Sequence, residues 1–427
     1  MDPIAWDMRY GLPNQKYRVF VARYLLGQEP TPLLIDPFAL DVPSAKSDGI
    51  YVKRQDVEDE IALPGTKIFM GPEGSGKTTL FNKLSALLSR QRLAAHPQPR
   101  RQIGFQTWSV SPGEQQALVV QLPLTQVGAS VPEQDLMEGK VSLLTPKILA
   151  HYIFESYWDG LLYNHHQRAK YLPELRQDQR WMTMLRWFFR RCRPLHPEIP
   201  EEPALMEWLA ASPASEPFSP YSPEDTLREL VHFVASRFAM CQPYAWVQVL
   251  VDDTERLSGL AVTRMLQDMH RLYDLRLDHM HFTLFIDSTW QNQIETMDCV
   301  RRGCVGVYKL PQWRVDELRR LLCRRLLSIV GGEFVDVYDW AWQIPETCLT
   351  LAAKPQFVQA IVEGALRNRE QTGSGAPVHA LRLARSLVAA CAGCWEEVYA
   401  PPLTMEHVNN LIDLYWQAEQ EERGEWK

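Results

Sequence analysis

No run of apolar residues approaches the eighteen or so that a membrane-spanning helix needs, and the opening Met1-Asp2-Pro3-Ile4-Ala5-Trp6-Asp7 lacks the basic and then apolar stretches of a secretory leader. The chain therefore reads as cytoplasmic, with no membrane partner. Cysteine is sparse, eight among 427 residues and scattered, which fits reduced thiols better than a disulfide framework. The single C-x-x-C, Cys391 to Cys394, lacks a second pair to complete a metal set and sits in an Ala-rich helical pattern. It reads as buried thiols. Basic excess is missing as well: a net charge of −7 argues against a protein coated in nucleic acid, because such binding runs on Lys and Arg neutralising phosphates. A local basic face is still available at Arg90 to Arg101 and at Arg180 to Arg193. The second stretch mixes arginines with Trp181, Trp187, Phe188 and Phe189, and reads as an amphipathic helix with its aromatics in a core and its arginines in water. The alternative is a stacking platform for single-stranded nucleic acid. No repeat of fixed period is evident.

What remains is an ordinary globular composition, 46% hydrophobic and 23% charged, long enough for two or three domains. Into it is set Gly71-Pro72-Glu73-Gly74-Ser75-Gly76-Lys77-Thr78, which matches G-x-x-x-x-G-K-[ST]. The apolar Ile68-Phe69-Met70 precedes it and a helical pattern from Thr78 to Leu93 follows. Glycines at these positions let the backbone wrap a phosphate so that successive N–H groups point inward at a helix N-terminus. Lys77 is expected to reach the β- and γ-phosphates, Thr78 to hold Mg²⁺, and Thr79 to stand beside it in the first helical turn. ATP and Mg²⁺ are the cofactors this loop implies.

The first sixty residues are Pro-punctuated and read as a leader packing on a core, spanning 1–62. Strands are expected at 67–70, 117–122, 246–251, 281–286 and 306–310, alternating with helices, which describes an α/β fold with a parallel sheet and ligand at the strands' carboxyl ends. The core spans 63–310. The separation of Lys77 from Asp252 exceeds what a minimal core needs, so a helical insertion of about a hundred residues is expected, over about 130–240. A C-terminal all-helical lid covers 311–427. The strand Trp246 to Val251 runs into Asp252-Asp253, so Asp252 is placed to hold Mg²⁺ and Asp253 or Glu255 to orient or deprotonate water. Ser288 and Thr289 follow the fourth strand, where they could face a γ-phosphate.

This order of strands, phosphate loop, acids and helical lid resembles the AAA+ and STAND group of P-loop ATPases, within it origin-recognition-type and Tn7-type transposition ATPases and bacterial STAND signalling proteins. The resemblance implies further roles: Ser288 or Thr289 as the polar "sensor 1", Arg301 or Arg302 as an arginine finger offered to a neighbouring subunit, and Arg382, in Pro377-Val378-His379-Ala380-Leu381-Arg382, as "sensor 2". The acids are Asp252-Asp253 where many AAA+ proteins have Asp-Glu. The spaced acids also resemble those of NACHT ATPases, which would make Glu255 the relevant carboxylate. Asn82-Lys83 lies inside the first helix and is no guanine-reading motif. The resemblance implies an ATP-hydrolysing switch that self-associates or binds a protein partner. A DNA-associated loader or regulator is the second expectation, weakened because no helix-turn-helix follows the lid. A nucleotide-stabilised scaffold with little turnover is the third.

Overall fold

The structure, a computed structural model, describes residues 6–7, 12–13, 65–90, 116–123, 134–211, 222–235, 244–327, 348–367, 376–396 and 401–422, less 136–137, 143, 200, 253 and 276. Asp253, the basic residues beyond Arg90 up to Arg101, and the N-terminal leader lie outside these residues. The exception in the leader is a minimal antiparallel pairing of Trp6-Asp7 with Leu12-Pro13. Two compact units divide the chain: Asp59–Met70 with Leu84–Lys309, and Met1–Glu58 with Gly71–Lys83 and Leu310–Lys427.

The first unit is built on a five-stranded sheet: β1 (Lys67–Met70), β2 (Gln116–Pro123), β3 (Tyr244–Asp252), β4 (Met280–Ile286) and β5 (Gly306–Lys309), in the order β2-β3-β4-β1-β5. Every pairing is parallel, with Ile68 level with Leu284 and Val307, and Val249 level with Val120 and Phe282. β1 is buried throughout, and β3 and β4 nearly so. Their near-continuous apolar runs are what a sheet covered on both faces requires. Gln248, a polar residue inside β3, is satisfied by donating to Thr283 Oγ1 at 3.1 Å. All five strands stand where the sequence places them.

Helix α1 (Lys77–Arg90) follows the glycine loop. Between β2 and β3 the described chain is helical: α2 (Pro146–Tyr157), a π-helical turn (Trp158–Tyr163), α3 (His165–Leu175), α4 (Gln179–Cys192), α5 (Pro203–Ala210) and α6 (Pro223–Ala235). Thr145, Asn164 and Asp178 cap α2, α3 and α4 by accepting from backbone N–H groups, and Pro146 begins α2 where its missing donor costs nothing. Tyr157, Trp158, Trp181, Phe188 and Phe233 form one aromatic core, in which Trp181 Nε1 donates to Tyr157 Oη at 3.0 Å. α4 is the amphipathic helix that its pattern predicts, yet its arginines are not simply solvated. Arg186 lies 3.5 Å over the Trp208 ring and donates to the Trp208 carbonyl, Arg190 donates to the Ala211 carbonyl, and Arg191 lies 4.4 Å over Trp187. The chain after β3 continues through α7 (Gly259–Asp274), β4, α8 (Gln291–Thr296) and α9 (Asp298–Arg301) to β5.

The second unit holds α10 (Val315–Leu327), α11 (Lys354–Arg367), α12 (Ala376–Glu396) and α13 (Met405–Glu422) around Leu318, Phe357, Ile361, Leu383 and Trp416. Gly364 admits α13 closely: a Cβ there would stand 2.9 Å from Ile412, and Trp416 Nε1 donates to the Gly364 carbonyl at 2.9 Å. Cys391 is buried in α12. Packing groups the glycine loop with these helices, whereas the sequence reading assigns it to the sheet-bearing core. Among the described residues no helix is long and apolar enough to cross a membrane.

Candidate functional site

β1 passes directly into Gly71, so the loop leaves the sheet's carboxyl edge. Three of its residues have little choice but glycine. A Cβ at Gly71 would stand 2.6 Å from Ser75 Oγ and 3.1 Å from Leu310 Cδ1. Gly74 and Gly76 have φ of 71° and 96°, in the left-handed region that side chains avoid. Ser75 N donates to the Pro72 carbonyl at 3.1 Å, and Leu80 N to the Gly76 carbonyl at 3.0 Å, where α1 begins.

Lys77 is only 3% exposed, and its Nζ donates to the carbonyls of Gly71 at 2.8 Å and Pro72 at 2.9 Å. A buried ammonium is thus drawn across the inside of its own loop. Ser75 is buried too, and its Oγ has no hydrogen-bond partner among the described residues. Burying such a hydroxyl is costly unless something else bonds it. Pro72 and Gly74 are half-buried, Glu73 and Thr78 exposed, and Thr79 half-buried. A glycine-forced turn, a buried cation, an orphaned hydroxyl and a helix N-terminus together fit a cluster of anionic oxygens. The residues present therefore fit a phosphate chain.

The acids come from β3. Asp252, its last residue, is 2% exposed. Thr254, equally buried, opens the short 3₁₀ turn to Arg256 and donates Oγ1 to the Phe285 carbonyl at 2.8 Å, tying the turn after β3 to the end of β4. Glu255 is exposed in that turn. After β4, Asp287 accepts from Thr289 N at 2.9 Å and caps the 3₁₀ turn Ser288–Trp290, leaving Ser288 half-buried and Thr289 exposed. Since β3 and β4 are parallel neighbours, Asp252, Glu255, Ser288 and Thr289 share one edge of the sheet. β4 also lies between β3 and β1, so its polar end stands between the acid strand and the strand that launches the loop.

Arg301 and Arg302 belong to the opposite edge. They precede β5, whose first residue, Gly306, pairs with the first residue of β1 and donates to the Thr66 carbonyl at 3.0 Å. Both are exposed. Arg302 reaches Asp298 only at 4.0 Å, and Arg301 forms no ion pair among the described residues. Arg382 lies in the second unit on α12, where its Nη1 donates to Glu419 Oε1 on α13 at 2.6 Å. That guanidinium is half-exposed and its carboxylate partner buried. Thr254 escaped the sequence reading, which gave it no role. Trp313 escaped as well: it stands just before α10, and the sequence reading attached no role to it.

Sheet and loop define a class: an α/β protein with an all-parallel five-stranded sheet and many helices, compatible with a P-loop NTPase. Neither a scan against protein-family models nor a search of curated proteins finds a match for this chain.

Proposed function

We propose that the chain is a P-loop ATPase of the AAA+/STAND type, a switch that binds Mg-ATP and on doing so assembles or engages a protein partner. The observation that carries this reading is the buried Lys77 inside a loop whose glycines are sterically required. The N–H groups of the loop and the Lys77 ammonium would hold the phosphate chain, and Thr78 with Asp252 would hold Mg²⁺. The metal supplies neutralisation of charge that develops on the phosphoryl oxygens. Glu255 or Asp253 would orient the attacking water, and Ser288 or Thr289 would contact the terminal phosphate. Arg301 or Arg302 would serve a neighbouring subunit, and Arg382 would respond from the lid.

As a switch the protein can be driven only by contacts that differ between its states. Phosphate-dependent contacts of Arg382 and of the finger pair would provide that difference. The DNA-associated reading draws no support from α4, because Arg186 and Arg190 already bond carbonyls of their own chain. Titration calorimetry of Mg-ATP against the protein and its Lys77→Ala variant tests the reading. Loss of a charge-assisted contact should weaken binding by about ten- to a hundredfold. Equal heats and affinities for the two proteins, or no binding by the wild type, would end it.

A further inference from the structure

We propose that Trp313 is a positioning residue for the phosphate loop, holding the Ser75–Gly76 peptide in the orientation that phosphate binding needs and reporting that occupancy to the helical unit. The inference rests on the nucleotide reading above and adds to it a residue outside the loop motif.

Trp313 Nε1 donates to the Ser75 carbonyl at 2.9 Å. A peptide bond is planar and trans, so its C=O and N–H point in opposite directions. With the Ser75 oxygen held by the indole on one side, the Gly76 N–H is turned to the other, away from Trp313. That N–H is one of the donors a glycine-lysine loop offers to phosphate. Without an anchor the same peptide could turn over. Its neighbour Gly76 is a glycine with φ of 96°, the residue type with the lowest barrier to such a change.

The indole is close enough to guide the loop without crowding it: a Cβ on Gly76 would meet Trp313 Cζ2 at 3.6 Å, an ordinary contact. Three residues earlier Leu310 packs against Gly71, so the segment that leads into α10 touches both ends of the loop. Trp313 also packs on the buried core of the helical unit. One side chain thus bonds the loop's backbone and rests on the helices expected to move with nucleotide.

Trp313→Phe keeps an aromatic ring and removes the N–H. In the full chain, affinity for Mg-ATP should fall roughly three- to tenfold, the worth of one neutral hydrogen bond, while Lys77→Ala loses far more. A second measurement leaves the side chain in place: 5-fluorotryptophan incorporated at position 313 should show a shifted ¹⁹F resonance when Mg-ATP is added, and the same label in Lys77→Ala should not. A ring that merely filled space would tolerate Phe and report nothing. Binding by Trp313→Phe equal to wild type, or a Trp313 resonance unmoved at saturating nucleotide, overturns the inference while leaving the nucleotide reading intact. Failure of the wild type to bind Mg-ATP overturns both. If Trp313→Phe does not fold, the labelled wild type decides alone.

Discussion

His281 stands near the start of β4, where burial, followed by the nearby His279 and Lys67, pushes its imidazole down to about 4. In the unfolded chain it would titrate near 6.5. Between those values the unfolded state binds a proton that the folded state refuses, so stability falls as pH drops from about 6.5 toward 4 and levels off below. Above 6.5 this residue adds no pH dependence. Its share of the loss between pH 7 and pH 5 should be about 1–2 kcal/mol. Glu155 and Asp159 are shifted upward by burial and slope the other way, while burial lowers His279 in the same sense as His281. The quantity to measure is therefore the difference in urea stability between wild type and His281→Gln at the two pH values. Parallel losses in the two proteins would mean that His281 titrates normally. At this level the sequence was partly legible. Gly71, Gly74, Gly76 and Lys77 announce themselves because their constraint is local and covalent, one loop folding on itself. Thr254 and Trp313 do not, since each acts through a carbonyl far along the chain: Trp313 and Ser75 are 238 positions apart. No pattern within a window of sequence encodes that proximity.

The five strands were legible for a related reason. A strand buried on both faces must be apolar along most of its length, and Ile68-Phe69-Met70 or Val249-Leu250-Val251 fit few other descriptions. The order in which strands pair, and how the helices between β2 and β3 dock, depend on tertiary contact instead. The π-helical turn Trp158–Tyr163 is an instance. Gly160, inside it, faces the Tyr244 hydroxyl so closely that a Cβ would collide with it, whereas the next Tyr244 atom, Cζ, would be 3.6 Å away. Tyr244 is 3% exposed and its hydroxyl donates to Gln167 Oε1 on α3 at 3.1 Å, so it has little room to yield. One tyrosine at the start of β3 thereby fixes both the turn and α3. Gly160→Ala should cost about 1–3 kcal/mol of unfolding free energy, the usual penalty of overpacking. In a Tyr244→Phe background the clashing oxygen is gone, and the same substitution should cost clearly less. A double-mutant cycle by urea denaturation measures the difference. Equal costs in the two backgrounds would show that the glycine is there for the backbone and not for the tyrosine.

At the level of assembly, the parallel sheet separates two groups of residues that the switch reading needs to act on the same phosphate. Asp252, Glu255, Ser288 and Thr289 lie at the carboxyl edge, and Arg301 and Arg302 lie before β5 at the amino edge. The strands stand between the pair and the acids of their own chain. If these arginines stabilise charge on a transferred phosphoryl group, that group must belong to another subunit. Their exposure and the weak, 4.0 Å hold of Asp298 on Arg302 leave them available for such a role at small cost to the fold. Light scattering with Mg²⁺ and a slowly hydrolysed ATP analogue should therefore show a rise in mass. Lys77→Ala should abolish it by removing nucleotide affinity, whereas Arg301→Ala with Arg302→Ala should abolish it while affinity for the nucleotide is unchanged. The separation of those two failures is what distinguishes a finger acting between subunits from a general loss of function. A mass that stays constant under every condition would remove the finger assignment and leave a switch acting within one chain, with Trp313 and Arg382, the latter released from Glu419, as the means by which nucleotide could reach the helical unit.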